Sequence, residues 1–242
     1  MLVDVIDRLL DIMESDPAFK HYTLDGQAVL LDDYLELRPE NRERLAALVK
    51  AGRILIGPWY TLVDAGSVSP ECIVRNLLTG RRVCREFGRP MSFGYSVFSF
   101  GQIAQLPQIY AGFGIRDVIF YKGADHSRLD KSEFVWEAPD GTRALTSRLG
   151  KFHRVNFFWR FTIPCLLGGD PEVAGQWQSG FTNGRRLCHM VDPRFRGHNA
   201  IELDRTTGID DERLRRGVED TIAAAAPPSR CPEVLLFFDG ID

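Results

Sequence analysis

The sequence predicts an α/β fold in which helices wrap a parallel sheet, and three observations carry that reading. From residue 1 to 58 the pattern runs helix, strand, helix, strand, the order from which parallel sheets are built. The runs Arg53–Pro58 and Asp117–Tyr121 are short and largely apolar, as buried strands are. Polar and aromatic residues gather just after such runs, where α/β proteins place functional side chains. With 242 residues, 44% hydrophobic and 26% charged, the chain can bury a full core in one large or two small domains.

The first helix carries Val5, Leu9, Ile12 and Met13 at helical spacing and opens without an N-cap. His21–Leu31 alternates around Asp25-Gly26-Gln27, which predicts a strand and a turn. Asp32 and Asp33 are placed to cap a helical stretch Tyr34–Leu37, and Arg38-Pro39 imposes a boundary. Glu40–Ala51 predicts a helix with Leu45, Leu48 and Val49 on one face and Gly52 as its C-cap. The strand Arg53–Pro58 follows. Trp59, Tyr60 and Asp64 stand at its C-terminal end, and two readings are open there. Aromatic faces and a carboxylate suit a sugar pocket, through stacking on C–H faces and acceptance of hydroxyl hydrogen bonds; alternatively Trp59 is a core side chain covering the end of the sheet.

Glu71–Phe87 predicts a long helix that turns Ile73, Leu77, Leu78, Val83 and Phe87 inward and stops at Gly88. Met91–Tyr95 reads as a strand, Ser99 and Gly101 as a turn, and Ile103–Phe113 as a helix. The strand end therefore offers Ser96, Ser99, Gln102 and the bulky Phe98, with no carboxylate, His or Cys. Tyr121 and Lys122 place polar groups at the next strand end. Phe134–Thr146 reads as a hairpin around Pro139-Asp140-Gly141, with Gly141 supplying a positive φ. Gly150–Thr207 is irregular and holds His153, His189 and His198, in a length that suits functional loops. Ile209–Ala226 is a helix opened by Asp210, Asp211 and Glu212, and Glu233–Asp242 reads as a final buried strand.

A net charge of -3 and a pI near 6.0 give no electrostatic reason for a nucleic-acid or membrane-surface partner. The Arg pairs at 81–82 and 185–186 and the cluster at 213–216 lie among acids and read as solvated faces. The five cysteines form no CxxC pair, which predicts free thiols in a reducing compartment, the cytoplasm. No run approaches the roughly 18 apolar residues of a membrane span, and no signal core is present at the N-terminus. The histidines match no HxH or HExxH spacing, and no GxSxG elbow occurs.

The motifs Leu31-Asp-Asp-Tyr-Leu-Glu36, Arg38-Pro-Glu-Asn-Arg42, Ile56-Gly-Pro-Trp-Tyr60 and Ile73-Val-Arg-Asn-Leu-Leu78 appear in order. They are followed by Gly94-Tyr95, Phe100-Gly101, Gln105, Pro107-Gln108-Ile109, the hairpin Phe134–Thr142 and Leu236-Phe-Phe-Asp-Gly-Ile-Asp242. Together they resemble the N-terminal catalytic domain of glycoside hydrolase family 38, the retaining α-mannosidases, over nearly all of the chain. The resemblance implies an incomplete seven-stranded β/α barrel of the glycoside hydrolase/deacetylase type. Because the chain opens in mid-helix and closes on a strand, the expectation is one catalytic-domain fragment, 1–242, truncated at both ends.

Retaining hydrolysis of a terminal α-mannoside uses two carboxyl groups about 5–5.5 Å apart, one attacking carbon and one passing protons. In the family the nucleophile belongs to a Pro-Asp pair followed by His; Val97-Phe98 and Gln102 stand at those positions here. Asp242 matches the acid/base residue. The family implies one zinc-type divalent cation, but its usual protein ligands are absent from this chain. Hydrolysis is therefore expected to be weak or absent, since Phe98 cannot form the covalent intermediate. Trp59, Tyr60, Asp64, Tyr121 and Lys122, gathered at strand ends, are the substrate-binding candidates, and the resemblance implies a mannose-containing glycan as partner. The competing readings are a catalytically dead carbohydrate-binding or regulatory module and a non-functional fragment.

Overall fold

A computed structural model of the chain describes residues 2–97, 99–124, 129–149, 181–182, 185–188, 200–202 and 211–236. Phe98, Asp242, the three histidines of the irregular segment and the end of the predicted final strand lie outside the described residues. The chain divides into two compact units, residues 1–125 with 134–147, and residues 126–133 with 148–242. Helices and sheets are mixed, as an α/β fold requires.

The first unit begins with α1, Leu2–Ser15, whose buried stripe is Ile6, Leu9, Leu10 and Met13. Val5 and Ile12, expected inside, are 50% and 40% exposed. The stripe follows i, i+3, i+4, i+7 from Ile6, and Val5 and Ile12 sit one position off it. β1, Tyr22–Thr23, pairs in parallel with β2, Ile54–Leu55, with Tyr22 opposite Ile54. Between them lie α2, Val29–Leu37, a 3-10 turn at Pro39–Asn41, and α3, Arg42–Lys50.

α2 starts earlier than the predicted cap: Asp32 and Asp33 lie inside it, and Ala28 occupies the N-cap without a side-chain bond. The reason is tertiary. The N–H groups of Ala28 and Val29 donate to the carbonyls of Trp59 and Tyr60 at 2.8 and 2.9 Å, so this helix start is satisfied by the neighbouring chain. Leu45, Leu48 and Val49 of α3 are buried as expected, and Gly52 takes φ +71° just after the helix.

α4, Pro70–Phe87, begins where Ser69 Oγ accepts the Cys72 N–H at 3.3 Å and Pro70 enters the first turn. It buries Ile73, Leu77, Gly80, Val83, Cys84 and Phe87, whereas Leu78 is 56% exposed. A Cβ at Gly80 would stand 2.2 Å from the Trp59 carbonyl carbon, so the glycine lets α4 lie directly on the chain that leaves β2. β3, Gly94–Ser96, pairs in parallel with β4, Asp117–Phe120, with Tyr95 opposite Ile119. Between them α5 runs Leu106–Gly112, three residues later than the pattern suggested, because Pro107 fits the first helical turn and sets the start.

β5, Glu133–Glu137, and β6, Arg143–Arg148, complete a four-stranded sheet ordered β3-β4-β6-β5. Their turn holds Gly141 at φ +83°, and Asp140 accepts the Thr142 N–H at 3.0 Å. Two apolar clusters form the core. One joins α1, α2, α3 and the inner face of α4 around Leu10, Met13, Leu31 and Phe87; the other gathers Trp59, Ile73, Leu77, Leu106, Tyr110 and Val118. In the second unit, β7 (Phe181–Thr182), β8 (Arg185–Cys188) and β9 (Ala200–Glu202) form an antiparallel sheet, and α6 spans Asp211–Ala225.

Candidate active site

The candidate site is assembled from the chain that leaves β2, β3 and β4 at their C-terminal ends. Asn76, near the middle of α4, holds the first of these segments. Its Oδ1 accepts the N–H groups of Tyr60 and Thr61 at 2.8 and 3.2 Å, and its Nδ2 donates to Thr61 O and Oγ1 at 2.9 and 3.0 Å. Gln27 adds a second clamp by accepting the Leu62 N–H at 3.1 Å.

Trp59 stands behind the site. It is 2% exposed, its indole N–H donates to Tyr95 O at 2.7 Å, and its ring meets Tyr110 edge-on at 5.8 Å between centroids. Of the two readings of Trp59, the structure places it as a core side chain, because its faces are taken by the second apolar cluster. Tyr110 is fully buried and pressed against Gly94, where a Cβ would come within 2.6 Å of its ring. Burial pushes its phenol far above the ordinary range, and its hydroxyl has no hydrogen-bond partner among the described residues. Tyr60 packs against the first apolar cluster; burial, and then the Asp32 carboxylate beside it, raise its phenol.

Asp64 is partly exposed and receives Ser99 Oγ on Oδ1 at 3.1 Å and Ser67 Oγ on Oδ2 at 3.3 Å. Ser99 is 1% exposed; its oxygen accepts the Ala65 N–H at 3.2 Å, and its hydroxyl also faces the Gly101 carbonyl. This pair ties the loop after β2 to the loop after β3. Gln102 ties β3 to β4: Oε1 accepts Ser96 Oγ at 3.0 Å, while Nε2 donates to Ser96 O at 3.2 Å and to Lys122 O at 3.0 Å. Lys122 Nζ lies 4.3 Å from the centroid of the Phe100 ring, which is 70% exposed. Tyr121 sits partly exposed at the same strand end.

Asp64, Ser99, Gln102 and Lys122 are thus linked through these loops, while Trp59 and Tyr60 turn into the two apolar clusters. Two positions went unassigned from sequence, Asn76 and the Ser99–Asp64 link. Asn76 carried a signal, since it lies between Ile73 and Gly80 on the inward stripe of α4, where a polar side chain needs a partner. The Ser99–Asp64 contact joins residues 35 positions apart and left none.

Chemically the site can accept hydroxyl hydrogen bonds. Among the described residues of these three loops Asp64 is the one carboxylate, so they hold no pair of carboxyl groups for double displacement. Among the described residues of these loops the divalent cation implied by the resemblance finds no ligand set that fits it. Gln102, at the position where the resemblance implies a His, makes all three of its amide contacts with Ser96 and Lys122. Among the described residues no three His, Cys, Asp or Glu side chains converge. No described helix is long and apolar enough to cross a membrane.

Comparison with known proteins bears on the same residues. The family model described as the N-terminal domain of glycosyl hydrolases family 38 matches residues 2–159. A Halalkalibacterium halodurans protein provisionally named a mannosylglycerate hydrolase is 36% identical over 164 residues, 63% of this chain and 18% of that protein. Human alpha-mannosidase 2C1 is 31% identical over 147 residues, 56% of this chain and 13% of that protein. The crystal structure of an alpha-mannosidase from Enterococcus faecalis V583 superposes with a TM-score of 0.61 at 35% identity, covering 64% of this chain and 18% of that one. The matched part is therefore under a fifth of the length of each of these proteins. The chain belongs to glycosyl hydrolases family 38, through the N-terminal domain of that family.

Proposed function

We propose that this chain carries the sugar-recognition part of an α-mannosidase-type glycoside hydrolase, binding a terminal α-mannoside with hydrolysis weak or absent. The observation that carries the reading is Gln102. A family 38 chain keeps the strand–loop–helix frame at this point, yet the side chain in the metal-ligand position works as an amide clamp between β3 and β4. Phe98 in the nucleophile position supports the same conclusion, because an aromatic ring can neither attack carbon nor accept a proton.

In this reading the strands belong to an incomplete seven-stranded β/α barrel, with 1–242 as one piece of its catalytic domain. Asp64, Tyr121 and Lys122 bind sugar hydroxyls, and Trp59 and Tyr60 hold the loop from behind. Asp242 occupies the acid/base position without a nucleophile to work with. The relatives' names, alpha-mannosidase and mannosylglycerate hydrolase, support a mannose-containing substrate. Cys72, Cys84 and Cys231 are free thiols, which suits a cytoplasmic setting.

The same clamp favours a second reading, a carbohydrate-binding or regulatory module with no turnover at all. Incubation of the purified chain with an aryl α-mannoside, with and without Zn²⁺, Co²⁺ or Mn²⁺, separates them. The proposal expects little or no aryl alcohol release and no metal response. Metal-dependent turnover that vanishes in Asp242→Asn would contradict it. A cooperative thermal transition of the same sample excludes a fragment that does not fold stably on its own.

A further inference from the structure

We propose that Asn76 is a positioning residue for sugar recognition: its amide pairs with the backbone of Thr61 and thereby sets where the following loop holds the Asp64 carboxylate. Asn76 itself makes no contact with the ligand and acts through the loop. The proposal rests on the sugar-binding reading above and adds to it the residue of α4 that shapes the recognition loop.

A side-chain amide can stand in for the peptide group of a neighbouring strand, and Asn76 does so for Thr61. Its Oδ1 accepts the Thr61 N–H at 3.2 Å while its Nδ2 donates to the Thr61 carbonyl at 2.9 Å, so both backbone groups of that residue are taken by the same planar amide. The same oxygen also accepts the Tyr60 N–H at 2.8 Å, and the same nitrogen donates to Thr61 Oγ1 at 3.0 Å. A primary amide offers two hydrogens and two acceptor lone pairs, and these contacts use them all. The helix comes close enough to reach the backbone because Gly80, one turn further along α4, carries no Cβ; one there would stand 2.3 Å from the Tyr60 nitrogen.

Gln27, in the segment that follows β1, accepts the next N–H, that of Leu62, at 3.1 Å. The successive N–H groups of Tyr60, Thr61 and Leu62 therefore all end on side-chain amide oxygens. Asp64 comes two residues after Leu62 and is partly exposed; its carbonyl accepts the Ser67 N–H at 2.9 Å in the turn that leads to α4. Its carboxylate takes its position from the segment that Asn76 holds. The amide is the group this needs. An aspartate of the same size at position 76 keeps two acceptors for the Tyr60 and Thr61 N–H groups but sets an oxygen lone pair against the Thr61 carbonyl.

A double-substitution cycle on sugar affinity tests the coupling. The full chain is prepared as wild type, Asn76→Asp, Asp64→Ala and the double variant, and each folded form is titrated with methyl α-mannoside by NMR chemical shift. Each single substitution is expected to weaken binding about tenfold, and the double variant to bind no more weakly than Asp64→Ala, because residues that act as a unit are not additive. Asn76→Ala, which removes the amide without adding charge, is read in the same way where the aspartate form does not fold. Binding by the Asn76 variant as tight as wild type overturns the proposal. So does a loss of equal size with and without the Asp64 carboxylate, the mark of a merely structural effect. Failure of both Asn76 variants to fold assigns the residue to the scaffold and overturns it too. In each of these cases wild-type binding leaves the sugar-binding reading standing; no binding by wild type overturns both.

Discussion

Two partly buried aspartates in the same unit have opposite surroundings. Asp7 on α1 accepts Tyr34 Oη at 2.6 Å, Arg38 Nε at 3.2 Å and Asn41 Nδ2 at 3.2 Å. Asn41 also donates to Tyr34 Oη at 2.6 Å and accepts Arg44 Nη1 at 3.1 Å, so the network is supplied with donors on every side. Asp64 has two serine hydroxyls, one of them contested by Gly101. The first carboxylate pins α1 to α2 and the 3-10 turn. The second accepts, among the described residues, from two serine hydroxyls, the sparser setting that suits the sugar-binding role proposed for it.

Substitutions should separate the two kinds of position. The largest effect is expected behind the site, at Trp59→Ala, where loss of a buried indole costs about 3–5 kcal/mol. Denaturant unfolding should show that loss in the absence of sugar, and a loss confined to sugar binding would return Trp59 to the surface of the pocket. Tyr34→Phe comes next. It removes a buried hydroxyl between two partners and costs about 1–3 kcal/mol, with no change in sugar affinity. Gln102→Ala should cost roughly 1–2 kcal/mol by removing the amide that donates to the Ser96 and Lys122 carbonyls. Its melting temperature, like that of wild type, should be the same in Zn²⁺ and in EDTA. A Zn²⁺-dependent rise in the wild-type protein would reinstate a metal at this loop.

The smallest effect is the pH response of the saturated network. The Tyr34 hydroxyl above all, and Arg38 after it, hold the Asp7 carboxyl below its ordinary value of 3.8, and Arg44 does the same for Glu14 relative to 4.5. A lowered carboxyl pKa contributes stability that is present above the ordinary value and disappears as pH falls through the folded one. Thermal melts between pH 6 and 3 should therefore show an acid-side decline that is shallower in Asp7→Asn. An equal slope would remove Asp7 from the account.

Much of the frame was legible in the sequence, and the failures have identifiable causes. The α/β order, the inward face of α3 and the hairpin turn at Gly141 followed from local pattern, because period and turn chemistry are local properties. The cap of α2 was misplaced since its first N–H groups bond to Trp59 and Tyr60, partners that a local motif does not reveal. Val5 and Ile12 look apolar enough to be buried, and only the register of the stripe from Ile6 to Met13 decides against them. At the candidate site, Gln102 was legible as the residue standing where the resemblance implies a His. That Gln102 bridges Ser96 and Lys122 required the parallel register of β3 and β4. The link between Ser99 and Asp64 depends on two loops meeting, which residue type alone does not encode.

The central claim is that the family frame and its sugar-recognition surface are kept while the covalent step is missing. The intact mass of the chain, taken after incubation with an activated fluoro-mannoside that traps glycosyl-enzyme intermediates, tests it most directly. The account predicts an unchanged mass under conditions where the NMR titration shows bound methyl α-mannoside. A stoichiometric glycosyl adduct would contradict it.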